Sequence, residues 1–246
     1  MTGALVTGAA QGLGKAIAQG LFEAGYSVAL TDKRFDAVVE TAKEISPTGE
    51  RVCALSLDVT KKSDFEEQLK VVVEKFGRVD ILVNNAAMTP TTPVMEITPE
   101  EFDLVTTINQ RGTFFGCQVF GQHFADQGYG RIINMASLAG QNGGTASGAH
   151  YASSKGAIFT MTKIFARQLA NDGVTVNAVA PGPIDLPSVR AAVPAKKLEQ
   201  IINDMIPVKK LGSASFIADM VVMLASPEAE AVTGASWDAN GGIFMR

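Results

Sequence analysis

Thr7-Gly8-Ala9-Ala10-Gln11-Gly12-Leu13-Gly14 sits between an apolar run, Ala4-Leu5-Val6, and a helix-forming segment, Lys15-Ala16-Ile17-Ala18. A strand that ends in glycines and reopens as a helix permits a tight turn. It also lets backbone N–H groups approach a pyrophosphate at the helix N-terminus. Gly8, Gln11, Gly12, Leu13 and Gly14 are therefore candidate dinucleotide contacts, with close helix–strand packing as the alternative use of the glycines. Their spacing, Gly-x-x-x-Gly-x-Gly, differs from the commoner Gly-x-Gly-x-x-Gly.

Beyond this turn, short apolar runs bounded by Gly, Asn or Asp alternate with longer helix-period segments, the pattern of βαβ units winding a parallel sheet. Strands are predicted near 3–7, 26–31, 51–57, 79–84, 130–136, 173–179 and 235–239, with helices between them. The expected fold class is α/β: a single Rossmann-type, doubly wound parallel sheet of about seven strands with helices on both faces. Neither a repeat nor a linker interrupts the pattern, so residues 1–246 read as one dinucleotide-binding and catalytic domain.

Composition excludes several classes. With 246 residues, 46% of them hydrophobic, and a mean hydropathy of +0.16, the chain can bury a large core. Net charge is −4, and basic residues come in blocks no longer than Lys61-Lys62 or Lys209-Lys210, which argues against a nucleic-acid footprint or a polybasic membrane anchor. Cys53 and Cys117 form neither a metal-ligand spacing nor a disulfide framework, and suit a reducing cytoplasm. His123 and His150 have no partner spacing for a metal either, and ordinary structural or surface roles are expected; no metal site is predicted. There is no run of 18 apolar residues, and the chain enters Ala4-Leu5-Val6 without an export signal, so a soluble cytoplasmic protein is expected.

Tyr151 and Lys155 are four residues apart, which on a helix places them on one face. A phenol titrates near ~10, and bringing it to ~7 takes roughly 4 kcal/mol, which a nearby ammonium in a partly desolvated cleft can supply. A core tyrosine with a lysine stem packed over it has the same spacing.

The glycine turn, Asn84-Asn85-Ala86 after the fourth strand, Ser137 after the fifth, Tyr151 with Lys155, and Pro181-Gly182 after the sixth together resemble the short-chain dehydrogenase/reductase family along essentially the whole chain. That resemblance implies a catalytic set of Asn109, Ser137, Tyr151 and Lys155. Tyr151 would exchange a proton with the alcohol or carbonyl oxygen that Ser137 fixes. Lys155 would lower the tyrosine pKa and bind the nicotinamide ribose. Asn109, in mid-helix, would bend its helix and complete a proton relay; in isolation it also reads as a satisfied structural asparagine.

The resemblance also implies further cofactor contacts. Asp32, closing the second strand, would accept hydrogen bonds from the adenosine ribose and repel a 2′-phosphate, favouring NAD over NADP. Lys33 and Arg34 follow at once, at the place where NADP-using relatives grip that phosphate, or else are solvated surface charges. Asp58 and Val59 would hold the adenine, although Asp58 also reads as a turn aspartate. Asn85 and Ala86 line the same edge, with Ala87 where the family usually has glycine. Pro181, Gly182 and Ile184 would pass beside the nicotinamide, and Leu186 stands where many relatives have a carboxamide-binding threonine.

Residues of about 185–212 are expected to close over substrate. Their apolar side chains, Val189, Ala191, Ala192, Val193, Leu198, Ile201, Ile202, Met205 and Ile206, suit either a small aliphatic-to-aromatic substrate or a lid helix packed on the domain. The expected activity is hydride transfer between NAD(H) and a small secondary alcohol or ketone. The chain also looks like 3-oxoacyl-carrier-protein reductases, which use NADPH, but Gly128 and Asp172 replace the two basic residues with which those enzymes commonly grip an acidic carrier protein. A dinucleotide sensor without turnover is the third possibility, though such relatives usually lose the Tyr and Lys. An extended-type epimerase does not fit the glycine spacing or the length. A homotetramer is expected from the resemblance, with Ile243, Phe244 and Met245 available for burial between subunits or over the chain's own pocket.

Overall fold

The computed structural model describes residues 2–144 and 148–246. Its strands are β1 (Gly3–Thr7), β2 (Ser27–Asp32), β3 (Val52–Ser56), β4 (Val79–Asn84), β5 (Gly130–Met135), β6 (Val174–Pro181), β7 (Ile184–Asp185), β8 (Gly212–Ser213) and β9 (Ser236–Ala239). Seven of them form one parallel sheet in the order β3-β2-β1-β4-β5-β6-β9, while β7 pairs with β8 separately. The predicted strands match these seven to within one or two residues at each end.

Alternation along the strands puts a core on each face of the sheet. Ala4 and Val6 of β1 join Val28, Leu30, Ile81 and Val83 beneath Ile17 and Leu21 of α1 (Gly12–Glu23) and Val221 and Leu224 of α10 (Ala214–Ala225). Leu5, from the same strand, joins Ala29, Leu82 and Ile132 on the other face. There they meet Phe65 of α3 (Lys62–Phe76), Phe120 and Phe124 of α5 (Gly112–Gln127), and Leu169 of α7 (Ala149–Leu169). The sheet is thus doubly wound, as expected.

The chain builds outward from β1 through β2 to β3, then returns to lay β4 on the other side of β1. That reversal opens a crevice at the carboxyl ends of β1 and β4, where open α/β sheets bind ligands. The helix that follows β4 is not continuous. α4 (Pro99–Thr106) passes through a π-turn at Thr107–Arg111 before α5 begins, and Asn109 lies inside that turn.

The expected substrate stretch, 185–212, is pinched at its base by the pairing of Ile184 with Gly212 and Asp185 with Ser213. Between these points it is mostly short helix: α8 (Pro187–Ala192), α9 (Ala195–Gln200) and a π-turn over Ile201–Met205. Leu198 and Ile206 are buried, so part of its apolar sequence serves packing. Among the described residues, no helix is long and apolar enough to cross a membrane.

Candidate active site

The first bond of α1 runs from Lys15 N to Gln11 O, which leaves the N–H groups of Gly12, Leu13 and Gly14 pointing out of the helix end. Gly8, at φ +64°, lies so close to the β4 loop that an added Cβ would sit 2.7 Å from Ala86 Cα. Gly12, at φ +59°, faces open space, with Leu186 Cδ1 at 3.9 Å from an added Cβ. An open glycine face beside unpaired amide donors fits a pyrophosphate. Asn85 fastens the two sides of the crevice. Its Nδ2 donates to Thr7 O (2.9 Å) and Gly8 O (3.1 Å), while Thr7 Oγ1 accepts the N–H groups of Asn85 (2.9 Å) and Ala86 (3.0 Å).

At the end of β2, Asp32 is buried with its carboxylate at the edge. Arg34 is not the free surface charge its sequence position allows. Its Nε donates to Asp32 Oδ1 (3.3 Å), one terminal nitrogen to Asp32 Oδ2 (3.4 Å) and the other to Gln11 Oε1 (3.3 Å). The guanidinium lies between Asp32 and Gln11 and offsets part of the Asp32 charge.

Asp58 takes the turn role that was its alternative, since Oδ1 accepts both the N–H (3.0 Å) and the hydroxyl (2.8 Å) of Thr60. Burial raises its pKa, but the Thr60 hydrogen bonds, with Lys61 and Lys33 nearby, outweigh it and hold the carboxyl below its usual range. Oδ2 accepts no bond among the described residues, which leaves it available to an adenine amino group. Val59 packs against the start of α5, where an added Cβ on Gly112 would be 3.0 Å away.

Ser137, Tyr151 and Lys155 converge at the carboxyl ends of β5 and β6. Ser137 Oγ accepts the N–H of Ala139 (3.1 Å), which opens the short helix α6 (Ala139–Asn142). Lys155 is buried, and its Nζ donates to Met135 O (2.6 Å) while lying 5.9 Å from the centre of the Tyr151 ring. Burial brings the Lys155 pKa down to about 8. The expected lowering of the tyrosine pKa by this ammonium is not among the influences on the phenol in this structure. Burial raises Tyr151, and the opposing influences are the hydroxyls of Ser137 and Thr89. The ammonium is directed to the Met135 carbonyl.

Asn109 is fully buried, and its side chain works as a clamp. Oδ1 accepts Met88 N–H (2.8 Å), and Nδ2 donates to Met88 O (3.0 Å) and Ser154 Oγ (3.0 Å). Ser154 Oγ in turn donates to Tyr151 O (2.7 Å). The predicted helix distortion is there, as a π-turn, while the side chain holds the β4 loop to α7. Thr89, Thr7, Met88 and Ser154 were not identified from sequence. The run Thr89-Pro90-Thr91-Thr92, a few residues after Asn85, was the available signal for Thr89.

Pro181 ends β6, and its carbonyl accepts Leu138 N–H (2.9 Å). Gly182 is needed by its own fold, because an added Cβ would lie 2.7 Å from Asn240 Cα. Ile184 leans on the α1 and α10 core, and Leu186 reaches over the glycine turn. The gap between Ser137 and Tyr151 includes residues 145–147, which lie outside the described residues. Of the two histidines, His123 is partly buried with its pKa lowered by that burial, and His150 is wholly buried rather than at the surface. No group of potential metal ligands occurs among the described residues.

A family profile described as Enoyl-(Acyl carrier protein) reductase matches residues 8–243. The chain is 38% identical to the 3-oxoacyl-acyl-carrier-protein reductase FabG of Staphylococcus epidermidis, over 98% of each chain. It is 34% identical to a sorbitol dehydrogenase of Cereibacter sphaeroides, covering 98% of this chain and 97% of that one. A crystal structure described as a short-chain alcohol dehydrogenase from Sinorhizobium meliloti 1021 superposes with a TM-score of 0.91 at 32% identity, covering 98% of this chain and 96% of that one. Likeness of this extent, over a sheet whose carboxyl edge carries the tyrosine, lysine and serine, makes the chain a member of the short-chain dehydrogenase/reductase family of NAD(P)-dependent oxidoreductases.

Proposed function

We propose that this enzyme moves a hydride between NAD(H) and a small secondary alcohol or ketone, with cofactor binding and chemistry in one domain. The observation that supports this reading is the grouping of Ser137, Thr89, Tyr151 and Lys155 on the same carboxyl edge of the sheet that carries the glycine turn. The dinucleotide, when bound, supplies or accepts the hydride. Ser137 holds the substrate oxygen, and Tyr151 gives it a proton in reduction or takes one in oxidation. Lys155, cationic below about pH 8, would bind ribose hydroxyls, and Asn109 keeps the loop and helix in register.

Asp32 at the ribose position supports NAD, with NADP weakened rather than excluded because Arg34 covers the carboxylate. A screen of secondary alcohols, diols and hydroxy acids with NAD and NADP, read as the absorbance of the reduced cofactor, tests the assignment. Tyr151→Phe should lower turnover by at least ~10² and leave NAD binding nearly intact. Wild-type turnover in that variant would remove Tyr151 from the mechanism.

A second reading, reduction of a 3-oxoacyl group on carrier protein, is favoured by the 38% identity to a FabG enzyme. Against it, the places of the two carrier-gripping cations lie side by side, since an added Cβ on Gly173 would be 2.5 Å from Gly128 O, and they hold Gly128 and an exposed Asp172. Better kinetics with acyl carrier protein and NADPH than with small alcohols and NAD would reverse the order. Exposed Phe102, Leu104, Phe114 and Ile164 on α4, α5 and α7 support assembly, which we take to be a cytoplasmic homotetramer; a monomeric mass by light scattering would rule that out.

A further inference from the structure

We propose that Glu101 and His150 form a positioning couple that holds the loop bearing Thr89 against the catalytic tyrosine. The proposal rests on Tyr151 being the general acid and base. After β4 the chain runs through Met88, Pro90 and Thr92, each partly buried, while Thr89 and Thr91 between them are exposed. Each partly buried residue is tied to a helix. Met88 is held by Asn109, Pro90 O accepts Gly148 N–H (2.9 Å), and Thr92 Oγ1 donates to Glu101 Oε1 (2.7 Å).

The same Glu101 oxygen meets His150 Nε2 at 3.1 Å. A carboxylate oxygen already accepting from Thr92 has no proton to offer, so the hydrogen lies on Nε2. One oxygen therefore joins the Thr89 loop to the residue preceding Tyr151. Thr92 and then His150 also hold the Glu101 carboxyl below its usual range.

Two features set this pairing apart from ordinary core filling. His150 is fully buried, yet its Nδ1 has no partner among the described residues, a position an apolar side chain would fill without a stranded polar atom. Gly148 makes room for the ring, because an added Cβ there would lie 2.3 Å from His150 Cε1. Glu101 is likewise diverted. Thr98 Oγ1 accepts its N–H (3.2 Å) as in a capping box, but the carboxylate that would complete the box turns to His150 and Thr92.

Glu101 is partly exposed, so its variants should fold, which cofactor binding and thermal melting verify. Glu101→Ala should lower kcat about tenfold, with KM for NAD within about twofold, because the loop loses its register while the glycine cradle is untouched. Glu101→Gln, which retains an acceptor for both donors, should recover kcat to within about threefold. His150→Ala combined with Glu101→Ala should be no slower than the worse single variant. Wild-type kcat in Glu101→Ala, failure of Glu101→Gln to recover, or a parallel loss of NAD affinity would each overturn the couple. Tyr151→Phe in the same assay separates the two ideas: if it keeps turnover, the assignment of Tyr151 fails first.

Discussion

The two sides of the crevice are held in different ways. On the cofactor side, glycines and one asparagine bring β1 and the β4 loop close together, and its geometry depends largely on what is missing, a Cβ at Gly8 and Gly14. On the catalytic side, side chains from remote elements meet in pairs: Asn109 with Met88 and Ser154, Glu101 with Thr92 and His150. A cradle made of absences tolerates no added atom, whereas a corner made of paired polar groups tolerates no removed one. Substitutions of opposite kinds should therefore damage the two sides separately.

The largest effect is expected from adding atoms to the cradle. In Gly14→Val the Cβ would lie 2.2 Å from Gly8 O and 2.5 Å from Asn85 Nδ2, so the turn has to move. Overpacking costs about 1–3 kcal/mol, and at its upper end NADH affinity falls ~10²-fold. Fluorescence titration of NADH measures this. Retained affinity would show that the close approach of the turn to Asn85 is dispensable.

Removing atoms from the corner should do the reverse. Asn109→Ala strands the partly buried N–H and C=O of Met88, a loss of about 1–3 kcal/mol in stability, or roughly 2–12 °C in Tm for a chain of this size. Turnover should fall about tenfold as the loop shifts against Tyr151, with NADH affinity within about twofold. If affinity dropped as far as turnover, the two sides would be one mechanical unit and the contrast would fail.

That contrast also explains what the sequence made legible. The strands were, because each is a short apolar run closed by Gly, Asn or Asp, and so was the glycine turn, a local pattern with a local consequence. Tyr151 and Lys155 fell together because four residues on a helix fix their relation, but helix spacing says nothing about depth. It could not show that Lys155 Nζ spends a hydrogen bond on Met135 O or that burial drives the phenol upward. Thr89 facing Tyr151, and Glu101 reaching His150 across 49 residues of chain, are meetings set by packing. Arg34 folding back on Asp32 is local in sequence, yet the solvated alternative was equally open, since two residues of separation do not decide a long side chain's direction.

That Arg34 contact gives the smallest predicted effect and the most direct test of cofactor choice. Exposed ion pairs are worth about 0–1 kcal/mol, a factor of up to ~5 in an equilibrium. Arg34→Ala would uncover both Asp32 oxygens, restoring their repulsion of a 2′-phosphate while leaving them free for ribose hydroxyls, so the ratio of NAD to NADP efficiency should rise a few-fold. Asp32→Ala should move the ratio the other way, because it removes the repulsion and releases a guanidinium able to pair with phosphate. Steady-state kcat/KM for both cofactors in both variants decides it. Equal ratios in wild type and Asp32→Ala would mean that the end of β2 does not read the ribose, and cofactor preference would have to lie elsewhere along the crevice.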